Sequence, residues 1–255
     1  MRVLLLGATG NVGSRLLPSL VAHGHEVIVF VRNTSKLSSE AISCATAIVS
    51  GSAIDSARIK GTILSNHCDA IINAAGVAPM LGQKGELPAI FKAVSKAAVE
   101  ARKERGGPPL RCWFLSGFGI MESPKKPHML IDYVPIFTIH RQNLAYIRSV
   151  PSEELAWSLF CANQMDPRSP TVNYSPKPGV EADNLVAGVE SPPAWSKTMQ
   201  WVPLVGTYLN VLMQMQHYFT PLEDCVDFIA SDLAAGLDSE YVGHRVGVKS
   251  KSKAA

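Results

Sequence analysis

Val3-Leu4-Leu5-Leu6-Gly7-Ala8-Thr9-Gly10-Asn11-Val12-Gly13 is the stretch that decides the fold. Four apolar residues in a row read as a parallel strand buried on both faces. Three glycines spaced GxxGxxG then turn the chain into a helix predicted over Asn11 to His23, with Val12, Leu16, Leu17, Leu20 and Val21 at helical spacing. Pro18 inside that helix predicts a kink or an early end, and Gly24 stops it. Glu26 to Val31 reads as the second strand, which completes a β-α-β unit of about 30 residues.

The alternation continues outward. Short apolar runs predict strands at Ala47-Ile48-Val49, Ala70-Ile71-Ile72-Asn73, Leu110 to Leu115 and Trp157 to Cys161. Helices are predicted at Ala89 to Arg105, at Ile139 to Ser149 and from Pro221 onward, and Arg245-Val246-Gly247-Val248 reads as a last strand. Strands alternating with helices imply an α/β fold, a Rossmann-type doubly wound parallel sheet. Near Ala162 the composition shifts to Pro, Ser, Asn, Trp and Met, which predicts a partly helical substrate cap over the carboxyl ends of the strands. The expected division is residues 1–161 for the dinucleotide-binding part and 162–255 for the cap with its final helix and strand, packed on the same domain.

The bulk numbers exclude several classes. The chain has 255 residues, 47% of them hydrophobic and 18% charged, which is globular composition. A net charge of +3 is small, and part of it sits in Lys249-Ser250-Lys251-Ser252-Lys253, read as a frayed end. There is no basic stripe, so nucleic acid is not expected as a partner. The five cysteines form no Cys-x-x-Cys pair and no zinc spacing, so no metal is expected and the thiols read as buried and reduced, in a cytoplasmic protein. From Trp201 to Leu222 there is no Asp, Glu, Lys or Arg. Pro203, Asn210, Gln214, Gln216 and His217 argue against a membrane span, and membrane contact is disfavoured. A pocket lining, a subunit interface in a homodimer, or a lipid surface remain as covers for this stretch.

The glycine motif has a physical use. Gly7 permits the tight turn, Gly10 lets the backbone approach a pyrophosphate, and Gly13 lets the helix pack closely on the strand. The helix N-terminus offers free N–H groups and partial positive charge. Gly7, Thr9, Gly10, Asn11, Val12 and Gly13 are therefore candidate cofactor residues. At the end of the second strand an Asp or Glu would bond the ribose of NAD. The chain has Arg32-Asn33-Thr34-Ser35-Lys36 instead, so Arg32 and Lys36 point to the 2′-phosphate of NADP(H).

These residues resemble the atypical short-chain dehydrogenase/reductases, specifically their NmrA-like or NAD(P)H-binding group. The resemblance covers residues 1 to about 165. It implies that Ala74, Ala75 and Gly76, after Asn73, lie beneath the adenosine and ribose. It implies that Ser116, in Leu115-Ser116-Gly117, belongs to an active-site loop, and that Asn163 closes over the nicotinamide. The family's usual acid after the third strand is replaced by Gly51-Ser52-Ala53, where Ser52 faces the adenine. Its Tyr-x-x-x-Lys pair is missing: His140 falls in the lysine slot and Ile136 near the tyrosine slot, with Tyr133 a displaced proton donor. His140, Tyr133 and Ser116 are thus the candidate catalytic residues, and each also suits an ordinary structural role. The expected function is an NADP(H)-dependent oxidoreductase of an apolar carbonyl- or quinone-type small molecule. Its pocket would be lined by residues such as Trp195, Met199, Trp201, Met213 and Met215. The alternatives are an NADP(H)-binding redox sensor without catalysis, or a non-redox isomerase, cyclase or dehydratase on the same scaffold.

Overall fold

Alternate residues of the first strand feed two separate cores. Leu4 and Leu6 pack on one side of the sheet and Val3 and Leu5 on the other, all fully buried. This is what an unbroken apolar run gives in a sheet covered on both faces. The computed structural model describes residues 1–76 and 85–251. The first half runs β1 (Arg2–Leu6), α1 (Asn11–Ala22), β2 (Glu26–Val31), α2 (Ser39–Cys44), β3 (Ala47–Ser50), α3 (Ser56–Ser65), β4 (Ala70–Asn73) and α4 (Leu87–Arg105). Then come β5 (Leu110–Gly117), α5 (Ile139–Arg148), β6 (Leu155–Ala162), β7 (Met165–Asp166) and β8 (Leu185–Val189). The chain ends with α6 (Gly206–Met215), β9 (Thr220–Pro221), α7 (Leu222–Asp232) and β10 (Arg245–Ser250).

Eight strands form one sheet in the order β3-β2-β1-β4-β5-β6-β10-β8. The first six positions follow the doubly wound order. Residues of α3, α4 and α5 (Ile59, Val94, Leu144) fill one core, and residues of α1, α2 and α7 (Leu16, Ala41, Ile229) fill the other. The carboxyl ends of β1, β4, β5 and β6 therefore line up along one edge. A separate two-stranded ladder, Met165–Asp166 beside Thr220–Pro221, links the chain leaving β6 to the start of α7.

The structure adds detail to these expectations and corrects one. Helix α1 runs through Pro18 as far as Ala22, close to the span read from its apolar spacing. Leu16, Leu17 and Leu20 around Pro18 are fully buried, and that packing outweighs the hydrogen bond lost to proline. The sheet is not wholly parallel, because β8 pairs antiparallel with β10, Val246 opposite Val189. The segment after Ala162 thus adds an edge strand, β8, beside the expected last strand β10. Lys249 and Ser250 are not a frayed end but the last residues of β10, paired with Val186 and Leu185. Residues 252–255 lie outside the described residues.

Candidate functional site

The turn after β1 is built around its glycines. Gly7 has φ +87°, and a Cβ there would come within 2.5 Å of the Ala74 carbonyl. A Cβ on Gly13 would lie 2.1 Å from the Gly7 oxygen. Strand, turn and helix therefore approach more closely than any side chain allows. The Gly10 amide donates to the Gly7 carbonyl at 2.9 Å, and Gly10 leads into α1 with no side-chain cap and no acid in the first turn. The N-terminal amides of α1 are left to a ligand. The Asn11 side chain is turned away, its Oδ1 accepting from Arg15 at 2.7 Å. Asn11, Val12 and Gly13 thus contribute backbone; Gly13 is buried and Val12 half-buried.

A cleft of about 580 Å³ opens beside this turn. Gly7, Thr9, Gly10, Arg32, Lys36, Ala74, Ala75 and Gly76 all line it, so eight of the candidate cofactor residues meet in one place. Asn33 lines it too. Its Oδ1 accepts from the Ser35 amide at 3.0 Å and caps the single turn Thr34–Lys36, which carries Lys36. The Arg32 side chain is 76% exposed, 3.7 Å from Glu86 at the start of α4. Phe30, Gly51 and Ala53 complete the wall, while Ser52 is exposed and does not line it. Gly51 could have been found from the sequence only with the knowledge that the Phe30 ring lies 2.4 Å from where its Cβ would be.

A second cavity, about 270 Å³, lies further along the same edge, past the ends of β5 and β6. Ser116, His140 and Asn163 are its polar members. Its apolar wall includes Phe118, Ile131, Ile136, Phe137, Met165 and Met215, and no charged residue lines it among the described residues. His140 Nδ1 stands 3.3 Å from Ser116 Oγ. The imidazole packs against Gly117, where a Cβ would meet its Cδ2 at 2.6 Å and its Nε2 at 3.0 Å. Burial pushes His140 down to about 4, because a low-dielectric site disfavours the cation. At neutral pH this disfavours the charged ring, and of the two roles open to His140, a bond to the nicotinamide ribose or acid/base work near pH 7, the first asks for no proton uptake. Asn163 donates from Nδ2 to the Met215 carbonyl at 2.8 Å, fixing the cavity's far side.

Tyr133 is not brought to this cavity. It ends a short turn over Leu130–Asp132, and its ring lies 6.1 Å from that of His128. Ile136, near the tyrosine slot, lines the cavity instead. Of the proposed pocket residues, only Met215 lines it. Trp195 packs on Tyr218 and donates from Nε1 to Asn210, while Trp201 and Met213 are exposed. Burial raises Cys112, Cys161 and Cys225 to about 12, so these thiols stay protonated. Among the described residues no group of His, Cys, Asp and Glu could hold a metal.

Residues 7–178 match the family model for NAD(P)H-binding proteins, and the chain belongs to that family. None of the curated proteins compared matches the sequence. Solved structures share the fold along the whole chain. A candidate epimerase from Bacteroides thetaiotaomicron is 16% identical, with TM-score 0.65, covering 100% of this chain and 99% of its own. A candidate NADH-flavin reductase from Streptococcus pneumoniae is 16% identical, with TM-score 0.61 and coverages of 98% and 100%. The anaerobilin reductase of Escherichia coli O157:H7 is 12% identical, with TM-score 0.61 and full coverage of both chains. At these identities the likeness concerns the fold. The fold and family together define a nicotinamide-nucleotide-binding Rossmann protein of the atypical short-chain dehydrogenase/reductase type.

Proposed function

We propose that the protein is an NADP(H)-dependent reductase of an apolar quinone- or carbonyl-type molecule, acting in the cytoplasm. The observation that carries this reading is the line of two cavities along one sheet edge. A glycine-walled cleft flanked by Arg32, Asn33 and Lys36 adjoins an uncharged cavity holding Ser116 and His140. Gly7 and Gly13 leave backbone where a pyrophosphate needs close approach, and the uncapped α1 N-terminus favours its charge. Arg32 and Lys36, with no acid among the described residues of the wall and with Glu86 3.7 Å from Arg32 at the start of α4, favour a 2′-phosphate over a bare ribose hydroxyl.

The bound cofactor would supply hydride, and the chain's own residues would position the acceptor. With His140 Nδ1–H donating to Ser116 Oγ, the serine hydroxyl is left to donate to one substrate oxygen. Apolar walls exclude water and reject charged substrates. Among the described residues of this wall there is no carboxyl, lysine or tyrosine to give up a proton at pH 7. A reduced ketone oxygen needs a proton at once, whereas a reduced quinone oxygen is phenolic, with an ordinary pKa of about 10. A quinone therefore suits this site better than a simple ketone. A second reading, a redox sensor that binds NADP(H) without turnover, is favoured by the same lack of an acid.

Calorimetric titration with NADPH, NADP⁺, NADH and NAD⁺, followed by NADPH consumption over quinones and ketones, tests both. The reductase predicts tight NADP(H) binding and turnover of quinones. Binding that differs strongly between NADPH and NADP⁺, without any turnover, would replace it with the sensor.

A further inference from the structure

The cavity beyond β5 and β6 has two aromatic residues in its wall, and they stand differently. Phe118 is 2% exposed, and its ring packs on that of Tyr218 with 4.7 Å between centroids. It belongs to the core. Phe137 is 40% exposed, and among the described residues its ring pairs with no other aromatic ring. Its backbone is also strained, with φ +55°, a left-handed conformation that bulky side chains rarely adopt. No other non-glycine residue described in the cavity wall has a positive φ. Such strain persists only where the surrounding structure over-determines it.

The contacts that impose it lie on both sides of the residue. The Phe137 carbonyl accepts from the His140 amide at 3.2 Å, and the Thr138 carbonyl from the Arg141 amide at 3.1 Å. Phe137 therefore opens the first turn of α5, the turn that carries His140. Arg141 reaches back to Asp132, whose other oxygen accepts from the Met129 amide at 2.8 Å. The Ile136 amide donates to the Val134 carbonyl at 2.8 Å. The loop before α5 is thus tied at both ends, and it holds Ile136 and Phe137 at the cavity's mouth, where both line it while partly exposed. The space behind them is small. At about 270 Å³ it falls below the roughly 300–1,000 Å³ of pockets for drug-sized ligands, and the Asn163–Met215 hydrogen bond fixes its far side. An aromatic ring gains most from a flat partner set offset or edge-on to it.

We propose that Phe137 is the specificity-determining residue of this cavity: its ring stacks on the acceptor, so that the site takes a flat quinone of one or two fused rings and turns away three-ring acceptors. The chemistry of the acceptor rests on the reductase reading; the stacking rests on the cavity itself. The test is calorimetric titration of dimethylnaphthoquinone, methylated at both free quinone carbons so that no thiol adds, into the full chain saturated with NADP⁺, where no turnover occurs. The variants are Phe137→Ala, Phe137→Gly and Phe137→Tyr. The first two should weaken the naphthoquinone by about 3- to 10-fold, and Phe137→Tyr should keep it. All should bind NADP⁺ as wild type does. Phe137→Gly should melt no lower than Phe137→Ala, because glycine accepts the left-handed backbone, so that equal loss of binding in both follows the ring and not the fold. With NADPH, the ratio of kcat/KM for naphthoquinone over phenanthrenequinone should fall by about the same factor in Phe137→Ala, whose wider mouth admits a third ring. Three results would overturn the proposal: no naphthoquinone binding by wild type, binding that the alanine and glycine variants leave unchanged, or equal losses for the two- and three-ring quinones. A chain that binds neither NADP⁺ nor NADPH would remove the reductase alone; naphthoquinone binding to that nucleotide-free chain, lost with the ring, would keep Phe137.

Discussion

In the proposed reading, the choice of cofactor turns on Arg32. It directly follows the last residue of β2, lines the cleft and is mostly exposed. A charge-assisted contact to a phosphate is worth about 1.5–3 kcal/mol. Arg32→Ala should therefore weaken NADPH by about 10- to 100-fold and leave NADH unchanged, as read by titration; equal loss for both would remove the 2′-phosphate role. His140 gives the second prediction. Held down to about 4 by burial, it should add no inflection to the rate between pH 5.5 and 8. The unfolded chain takes up its proton near the ordinary value of 6.5, while the folded chain resists until about 4. Stability should thus fall as pH drops through that window, and His140→Gln should flatten the slope of Tm against pH. Gly117→Ala, whose methyl group would strike the imidazole, should lower turnover with little change in NADPH affinity. Arg32 was legible because the end of a buried strand fixes where the next side chain stands. The Ser116–His140 pair was legible only singly, since 24 residues separate its members. The sequence could not show that Tyr133 sits in a turn facing His128, because nothing local sets where that loop folds.

At the scale of elements, Asp227 joins α7 to two of its neighbours. Asp227 is buried and accepts from the amides of Gly179, Glu181 and Ala182 at 3.1, 3.0 and 2.8 Å, with His23 Nε2 at 2.6 Å. It ties the loop before β8 to both α7 and the end of α1. Asp227→Ala would strand those buried groups, at a cost of about 3 kcal/mol. Thermal melting should show a Tm lower by roughly 6–12 °C, and a change under about 2 °C would show that water replaces the carboxylate. Strands β1, β2 and β4 were legible to the residue or nearly so, because burial on both faces demands continuous apolar runs. Helices α2 and α3 were not, since Ser, Thr and Lys blur their apolar face and only Ala41 is buried in the first. The edge strand β8 escaped for a related reason. Only one of its faces meets the core, and Gly188 is present because Ser191 and Pro193 fold back within 3 Å of its missing Cβ.

The family match ends at residue 178, yet the molecule as a whole does not. Beyond that point the chain supplies β10, which covers the outer edge of β6, a strand whose eight residues are all buried, and β8, which covers β10 in turn. It also supplies Leu222, Val226, Ile229 and Leu233 of the second core, which pack with Leu16, Leu17 and Leu20 of the cofactor-binding helix. An ion pair crosses the same boundary. Arg111 on β5 is 1% exposed and donates from Nη2 to Asp232 at 2.8 Å, and Trp113 Nε1 donates to the same oxygen at 2.9 Å. Removing the acid leaves a buried guanidinium unpaired, which costs about 3–5 kcal/mol by itself. That loss approaches the whole stability of a typical domain, about 5–15 kcal/mol, before the exposed core is counted. A chain ending at Pro178 should therefore show no cooperative melting transition and no NADPH binding, although it contains every residue of the cofactor cleft. Asp232→Ala in the full chain should melt earlier but still cooperatively and still bind NADPH. A sharp transition from the truncated chain would mean that the first six strands fold alone, with the C-terminal part as a separable cap.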